Sequence, residues 1–281
     1  MKKTNFTAWV FLAPALLFFI IFSIYPILRS IQLSFYDADA ISKTFVGLKN
    51  YIKVFTSPRM LNAFLNTGKF MIVVVPCVAF IPLFIAMIGY RMPTALQTGV
   101  RFAYYIPVLT AGPIVAMIWS WLMNPDGAVN FIVGRQVFWL ASNPAAFWTM
   151  CAMIVSVDMG MTIIIYMAAL STVNPELYDA AKLDGCTQFQ EDWYITIPSI
   201  LPTVAFMFFV KLVGVSQVWM YPFIMTGGGP NYGTDTVVLE IYLQAFQYGK
   251  YGYASAIGVI FTICVAILAV IQRRYFKGGT E

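Results

Sequence analysis

The stretch "NPELYDAAKLDGCTQFQEDWYITIPSILP", residues 174–202, decides the fold, because it is a polar, acidic segment between two long apolar runs. Asn174 can cap the start of a helix. Gly185 readily takes the left-handed conformation that ends one. Thr187 can then cap a second short helix, which we expect to run through Trp193. The pattern predicts a helix, a glycine turn and another helix. The whole segment is too polar to insert into a membrane.

The apolar runs on either side of this segment indicate an integral membrane protein. Hydrophobic residues make up 60% of the chain and charged residues 10%, whereas a soluble domain carries roughly 25% charged residues. The runs are continuous, which favours helices over the alternating strands of a barrel. The chain, residues 1–281, is therefore predicted to be a single all-α, polytopic membrane domain. Its six predicted transmembrane helices cover about residues 8–28, 70–90, 102–123, 147–170, 200–225 and 253–272.

The same composition excludes several kinds of site. The bases that give the net charge of +5 are scattered among the ends of apolar runs, so nucleic-acid binding is not expected. The chain has no histidine, which excludes a histidine-based metal site or general base. The four cysteines are interpreted as small apolar fillers. No metal and no cofactor is expected on this chain.

The distribution of basic residues predicts how the chain is oriented in the membrane. Lys2 and Lys3 precede the first apolar run, and Arg91 and Arg101 flank the turn between the second and third runs. The positive-inside rule places these bases, both termini and the loop 171–199 in the cytoplasm.

The acidic loop at the cytoplasmic face has two interpretations. It could be a pair of helices that rests on the lipid surface, but such helices usually carry Lys and Arg toward anionic lipid. An acidic face instead suits a basic groove on a protein partner. The sequence therefore favours a rigid docking element.

The acidic loop resembles the EAA signature of the importer-type ABC transporter permeases. That pattern is an acidic residue and two alanines before a glycine, followed by a distant Ile-x-x-Pro. Here it corresponds to Asp179-Ala180-Ala181, Gly185 and Ile195-Thr-Ile-Pro198. The family usually has Glu where this chain has Asp179, and often Ala where it has Cys186.

The resemblance extends over nearly the whole chain. The stretches "FVGLKNYIKVF" (45–55), "MTGGGPNYGTDT" (225–236) and "YLQAFQYGKYGYASAIGVI" (242–260) are similar to outer segments of sugar-type permeases. The most similar branch is the carbohydrate-uptake permeases of the maltose and glycerol-phosphate type, and within it the first of two paired permeases. The resemblance implies six transmembrane helices in the fold of type I ABC importer permeases.

In that family the EAA loop is a coupling helix that docks into an ATPase subunit. The resemblance thus implies ATPase-docking roles for Glu176, Tyr178, Asp179, Ala180, Ala181, Asp184, Gly185 and Phe189. It also implies a second permease as heterodimer partner, a dimer of ATPase subunits, an extracytoplasmic solute-binding protein, and the bacterial or archaeal cytoplasmic membrane.

The chain itself lacks the motif for binding ATP. No G-x-x-x-x-G-K-[ST] phosphate loop occurs in it. We therefore expect that this chain is not an enzyme, and that ATP and Mg²⁺ bind to the partner ATPase.

Two ionisable residues fall near the middle of predicted spans, Asp158 in the fourth and Lys211 in the fifth. A charge at this depth costs roughly 2.5–3.5 kcal/mol on insertion scales, so both are expected to face the bundle interior. They could form an ion pair that joins two helices, or contact solute, or do both. The family has an uncharged residue near position 158.

The resemblance places the solute contacts of the maltose-type permease on spans four and five. Carried onto this chain, and extended to nearby aromatic residues that could stack on a sugar, the substrate path is expected to include Asp158, Met161, Thr162, Lys211, Gly214, Ser216, Gln217, Trp119, Trp219 and Tyr221.

The outer loop 226–252 begins with three glycines and a proline, which predicts a pliant, exposed tip. By resemblance, this loop reaches toward the solute-binding protein. The expected docking residues are Gly227, Gly228, Gly229 and Pro230, together with Asn50 in the outer segment 45–55.

Two other classes of membrane protein are alternatives to the importer. A secondary transporter driven by an ion gradient would need buried carboxylates and internal repeats, and Asp158 is the only carboxylate near mid-span. A membrane enzyme is hard to assemble without histidine and with one mid-span acid. The ATP-driven importer of a carbohydrate is the main prediction, and the secondary transporter of a small polar solute is the alternative.

Overall fold

The computed structural model describes residues 4–39 and 41–277, and it divides the chain into two compact units. One unit comprises the chain up to Leu61 together with Glu240–Cys264, and the other comprises Asn62–Leu239 together with the chain from Val265 onward. Lys2 and Lys3, on which the predicted orientation depends, lie outside the described residues.

Helices form most of the described chain. They are α1 (Thr4–Phe19), α2 (Tyr25–Leu33), α3 (Lys49–Thr56), α4 (Pro58–Tyr90), α5 (Thr94–Leu109), α6 (Gly112–Leu122), α7 (Ala128–Val133), α8 (Asn143–Leu170), α9 (Pro175–Leu183), α10 (Gln188–Glu191), α11 (Ile197–Ser216), α12 (Met220–Thr226), α13 (Val237–Tyr242) and α14 (Tyr251–Lys277). Three π-helical turns, Ile20–Ile24, Asp192–Thr196 and Leu243–Gln247, continue the helices that precede them. Strands β1 (Tyr36–Ala38) and β2 (Lys43–Phe45) form one antiparallel hairpin.

The six predicted membrane spans are present as an all-α arrangement. Within the described residues, five helical stretches are long and apolar enough to cross a membrane: Trp9–Leu33, Pro58–Tyr90, Asn143–Leu170, Gln188–Ser216 and Tyr251–Gln272. The pair α5 and α6 passes the same test together and makes the sixth.

Two of the predicted spans, in both of which prolines interrupt the apolar run, are divided into separate helices. The span expected at 102–123 consists of α5 and α6, which meet at an angle of 96°. The span expected at 200–225 ends at Ser216, and the short α12 follows it. The first break lies between Pro107 and Pro113, where prolines remove backbone donors and obstruct a continuous helix.

In the first unit, the short helix α3 is held against the hairpin by a buried amide. The side chain of Asn50 donates to the carbonyl oxygens of Ser34 and Tyr36 at 3.0 and 2.8 Å. In the loop of the hairpin, the Asp39 carboxylate accepts the backbone N–H groups of Ile41 and Ser42. These bonds hold the pKa of Asp39 below its ordinary value.

The second unit contains two apolar clusters along the same helices. One joins α4, α6, α8, α11 and α12 around Phe70, Ala116 and Met150. The other joins α4, α8 and α11 around Leu83, Tyr166 and Met207. Together they fix the relative positions of α4, α8 and α11, which carry the polar residues described below.

Helix α5 approaches α8 very closely at one point. A Cβ atom at Gly160 of α8 would lie 2.0 Å from the backbone oxygen of Tyr104 and 2.9 Å from a methyl carbon of Val108. Such distances are far below van der Waals contact. Only glycine therefore fits at position 160 while α5 keeps its place.

Candidate functional site

Helix α9 begins and ends at the residues that the sequence predicts. The Asn174 side chain accepts a hydrogen bond from the backbone N–H of Glu176 at 3.1 Å. Gly185 follows the helix with a φ of +74°, and the N–H of Cys186 donates to the carbonyl of Ala181 at 2.9 Å in a Schellman arrangement. A Cβ at position 185 would meet no atom within 4 Å. The turn thus favours glycine because of its backbone angle, and not for lack of space.

The second helix begins where the sequence predicts but does not end there. The Gln190 side chain accepts the backbone N–H of Thr187 at 2.8 Å, as in a capping box. The predicted end at Trp193 is wrong, because the helix continues through the π-helical turn and α11 to Ser216. No glycine or proline interrupts residues 188–197. The docking element is therefore continuous with a membrane span.

Most of the predicted ATPase-docking residues lie on the surface. Glu176, Asp179, Ala180, Asp184, Gly185 and Phe189 are exposed, Tyr178 is half-buried and Ala181 is buried. The apolar side chains Leu183 and Phe189 are 90% and 74% exposed. Apolar side chains in a polar segment that protrude this far are typical of contacts with a partner. Leu183 is not among the residues that the sequence predicted for ATPase docking, although it is the more exposed of these two side chains.

Two side-chain contacts fasten this segment to the rest of its unit. The hydroxyl oxygens of Tyr178 in α9 and Thr196 in the π-helical turn lie 3.0 Å apart, in a hydrogen bond. Arg91, just after α4, forms an ion pair with Asp192 at 2.6 Å and lies 3.9 Å from Glu191. We call this group the Arg91 latch. It connects the end of one membrane span to the start of another, directly beside the docking helix.

The residues of the Arg91 latch line a cleft of about 580 Å³. Charged groups of both signs line it, among them Arg91, Asp179, Lys182 and Asp192. Among the residues that the structure describes, no group of three or more His, Cys, Asp or Glu side chains is placed to hold a metal ion.

The second polar site joins α8 and α11 at mid-span. The Lys211 ammonium donates to Asp158 twice, to the side-chain Oδ1 at 2.9 Å and to the backbone oxygen at 3.0 Å. The Lys211 side chain is 9% exposed and the Asp158 side chain 41%. The sequence allowed these two residues to form an ion pair, to contact solute, or to do both. The structure contains the ion pair.

The two broken spans bring irregular backbone to this site. The α12 residue Tyr221 places its hydroxyl 3.5 Å from the position of a Cβ at Gly112, the first residue of α6. Irregular backbone at membrane depth is tolerated where it is buried in protein or lines a water-filled cavity. The breaks and the ion pair together mark this region as the candidate path.

The remaining residues predicted for the substrate path fall into three groups. Met161, Gly214 and Gln217 are exposed, Trp119, Trp219 and Tyr221 are half-buried, and Thr162 and Ser216 are buried. The hydroxyls of Thr162 and Ser216 donate to backbone oxygens of their own helices, those of Asp158 and Val213. Because both hydroxyls are buried, neither is placed to reach a solute.

The loop after α12 is not the pliant tip that its glycines predict. The Asn66 amide of α4 donates to the carbonyls of Tyr232 and Asp235 at 2.7 and 3.1 Å. The Thr234 hydroxyl donates to the carbonyl of Gly229 at 2.7 Å. The segment Thr234–Thr236 is buried. Long-range hydrogen bonds therefore order this loop.

The predicted binding-protein contacts differ in accessibility. Gly227 is exposed, Gly229 and Pro230 are half-buried, and Gly228 is buried. Asn50 is only 6% exposed, and its amide is used within its own unit. Assembly with a partner can only bury this side chain further. The expectation that Asn50 contacts a binding protein is therefore replaced by a structural role.

Curated relatives match the chain along its length. It is 28% identical to a probable ABC transporter permease protein, YurN, of Bacillus subtilis, with 100% of this chain and 99% of that protein covered. It is also 28% identical to the lactose transport system permease protein LacF of Rhizobium radiobacter, with 94% and 92% covered.

Two crystal structures of a bacterial alginate ABC transporter, one in complex with an alginate pentasaccharide-bound periplasmic protein, share the fold, with TM-scores of 0.88 and 0.87 at 23% identity. They cover 99% and 98% of this chain, and 98% and 96% of the matched chains. The model of the binding-protein-dependent transport system inner membrane components matches residues 55–278. The chain is therefore a multi-pass membrane permease component that belongs to this family of binding-protein-dependent transport systems.

Proposed function

We propose that this permease moves a carbohydrate into the cytoplasm, driven by a separate ATPase subunit that docks on residues 174–196. The observation that carries the proposal is the exposed α9 with its glycine turn, which is joined to the start of α11 by the Tyr178–Thr196 hydrogen bond, where the Arg91 latch connects α11 to α4. The chain has no phosphate loop of its own. ATP and Mg²⁺ would bind to the partner, and no cofactor to this chain.

The complete transporter would contain a second, related permease, two ATPase subunits and an extracytoplasmic binding protein. Closure of the ATPase dimer on ATP would pull α9, and the latch would pass this movement to α4 and α11. ATP can drive the change only if its affinity differs between the two states. In this arrangement both termini and residues 171–199 face the cytoplasm of a bacterial or archaeal cell.

The carbohydrate class is supported by the names of relatives, such as the lactose permease, and by the chemistry of the candidate path. Asp158 and Gln217 can each take part in more than one hydrogen bond with hydroxyl groups. Half-buried aromatic side chains lie nearby, among them Trp119 and Tyr221. The alternative of an ion-gradient carrier is not favoured, because the chain belongs to a family of binding-protein-dependent systems.

Transport by the reconstituted complex tests this proposal. We expect proteoliposomes that hold the two permeases and the ATPase, supplied with the binding protein and ATP, to take up a labelled neutral saccharide when proton and sodium gradients are collapsed. A panel that begins with lactose identifies the saccharide. A matched preparation with a non-hydrolysable ATP analogue should show no uptake. Uptake that disappears with the gradients and ignores ATP would favour the secondary transporter.

A further inference from the structure

The Lys211 ammonium is not available to an anionic solute. Two of its three N–H groups donate to Asp158, at 2.9 and 3.0 Å. Its side chain is also almost fully buried between α8 and α11. Because the third N–H group belongs to a side chain that is only 9% exposed, a solute in the path reaches little of this cation while the ion pair is intact.

The Asp158 carboxylate, in contrast, keeps one accessible oxygen. Its Oδ1 accepts from Lys211, while its Oδ2 has no hydrogen-bond partner among the residues that the structure describes. The side chain is far more exposed than that of Lys211. The pair is neutral as a whole, but it presents its negative end outward.

The exposed end of this pair cannot rest against lipid. A carboxylate near the middle of a bilayer is costly and is found facing a bundle interior or a water-filled cavity. The neighbouring breaks in the α5–α6 and α11–α12 spans point to the same surroundings, since irregular backbone is not stable against lipid. Asp158 therefore faces a polar path or a polar surface of the second permease.

We propose that the Asp158 oxygen lines the path and makes this permease selective for neutral carbohydrates over anionic ones such as uronates. The inference rests on the proposed function and adds a substrate class to it. A hydroxyl can donate to the free oxygen, whereas a second carboxylate is repelled by it. The matched structures belong to a transporter of alginate, an acidic polysaccharide. This chain thus shares the fold of that transporter, but its path is expected to prefer neutral saccharides to anionic ones.

Direct binding to the permease–ATPase complex in nanodiscs tests the proposal without the binding protein, which has a selectivity of its own. The probes are lactose and digalacturonate, which have the same number of sugar units. We expect lactose to bind on the order of tenfold more tightly or better, a ratio that rises at low ionic strength because salt screens the repulsion.

Two variants identify the charge that is responsible. Asp158→Asn leaves the Lys211 cation without a counter-charge, so the preference should shift toward digalacturonate. The double variant Asp158→Asn with Lys211→Gln removes both charges and should bind both probes with similar affinity, and it controls for the loss of the ion pair. If the Asp158→Asn complex does not fold, the double variant alone decides.

The outcomes separate this inference from the proposed function. Equal binding of the two probes by the wild-type complex, or a ratio that the double variant leaves unchanged, overturns the charge selectivity and leaves the carbohydrate importer standing. Binding of no saccharide from the panel used for transport, in a complex that still hydrolyses ATP, contradicts the carbohydrate assignment and the inference with it.

Discussion

Replacing Arg91 with glutamate is expected to reduce ATP-driven uptake by at least about tenfold while the complex still assembles. The substitution places a negative charge beside Asp192 and Glu191. Charges of the same sign then face each other across the latch, so α4 is no longer held to the start of α11, and a coupling loss of about 1.4 kcal/mol corresponds to tenfold. The complex should still assemble, because partly exposed ion pairs contribute only about 0–1 kcal/mol to stability. Uptake and ATP hydrolysis are measured on the same preparation.

Two further variants isolate the latch. Arg101→Glu makes the same charge change in α5, the helix that follows α4, but Arg101 forms no ion pair within residues 4–39 and 41–277. This variant should keep most of its uptake. The charge swap Arg91→Asp with Asp192→Arg should restore part of the transport. Loss of uptake to the same degree in both single variants would mean that the effect is one of membrane topology.

Replacing Gly160 with valine is expected to remove most of the folded protein. Its Cβ would lie 2.0 Å from the backbone oxygen of Tyr104, so α5 must move away from α8. Overpacking of a core typically costs about 1–3 kcal/mol, and we expect at least that here because the obstacle is backbone. The yield of monodisperse protein in detergent and its melting temperature measure the effect.

Gly99→Val is the matched control, since Gly99 lies in α5 and a Cβ there would meet no atom within 4 Å. It should melt close to the wild type. A Gly160→Val protein as stable as the control would show that α5 does not approach α8 in the way described.

The docking segment could be predicted from sequence because its signals are local. Asn174 caps α9 and Gly185 ends it within a dozen residues of chain, and each acts through its own backbone and near neighbours. The six apolar spans are also local properties, of composition and length. The helices of this segment and the apolar spans are both present in the structure, apart from the early end assigned to the second helix and the breaks in the third and fifth spans.

The features that sequence reasoning missed depend on contacts between distant residues. Arg91 and Asp192 lie about 100 positions apart and meet only because α4 and α11 pack side by side. The loop at 226–236 looks pliant from its glycines, yet the Asn66 amide orders it from another helix. The breaks near residues 110 and 218 fall inside apolar runs that contain prolines and glycines, but whether these residues kink a helix or divide it depends on how neighbouring helices pack.

For the residues of the candidate path, too, the sequence predicted local features but not the contacts and burial that depend on packing. Their residue types indicated hydrogen bonding to sugars, but only the structure shows that the Thr162 and Ser216 hydroxyls are buried and donate to backbone oxygens. The sequence predicted the mid-span positions of Asp158 and Lys211. It could not show which of the two stays exposed, and the preferred charge of the solute depends on that difference.

Chemical cross-linking from Cys186 tests the docking of α9 on a motor subunit most directly. This thiol is exposed and immediately follows Gly185. In the assembled complex, a reagent that joins thiols to amines should link this chain to the nucleotide-hydrolysing subunit, and Cys186→Ser should abolish the product. If Cys186 is labelled freely by a simple maleimide in that complex but never joins to the ATPase, the account of ATP-driven transport through this segment is contradicted.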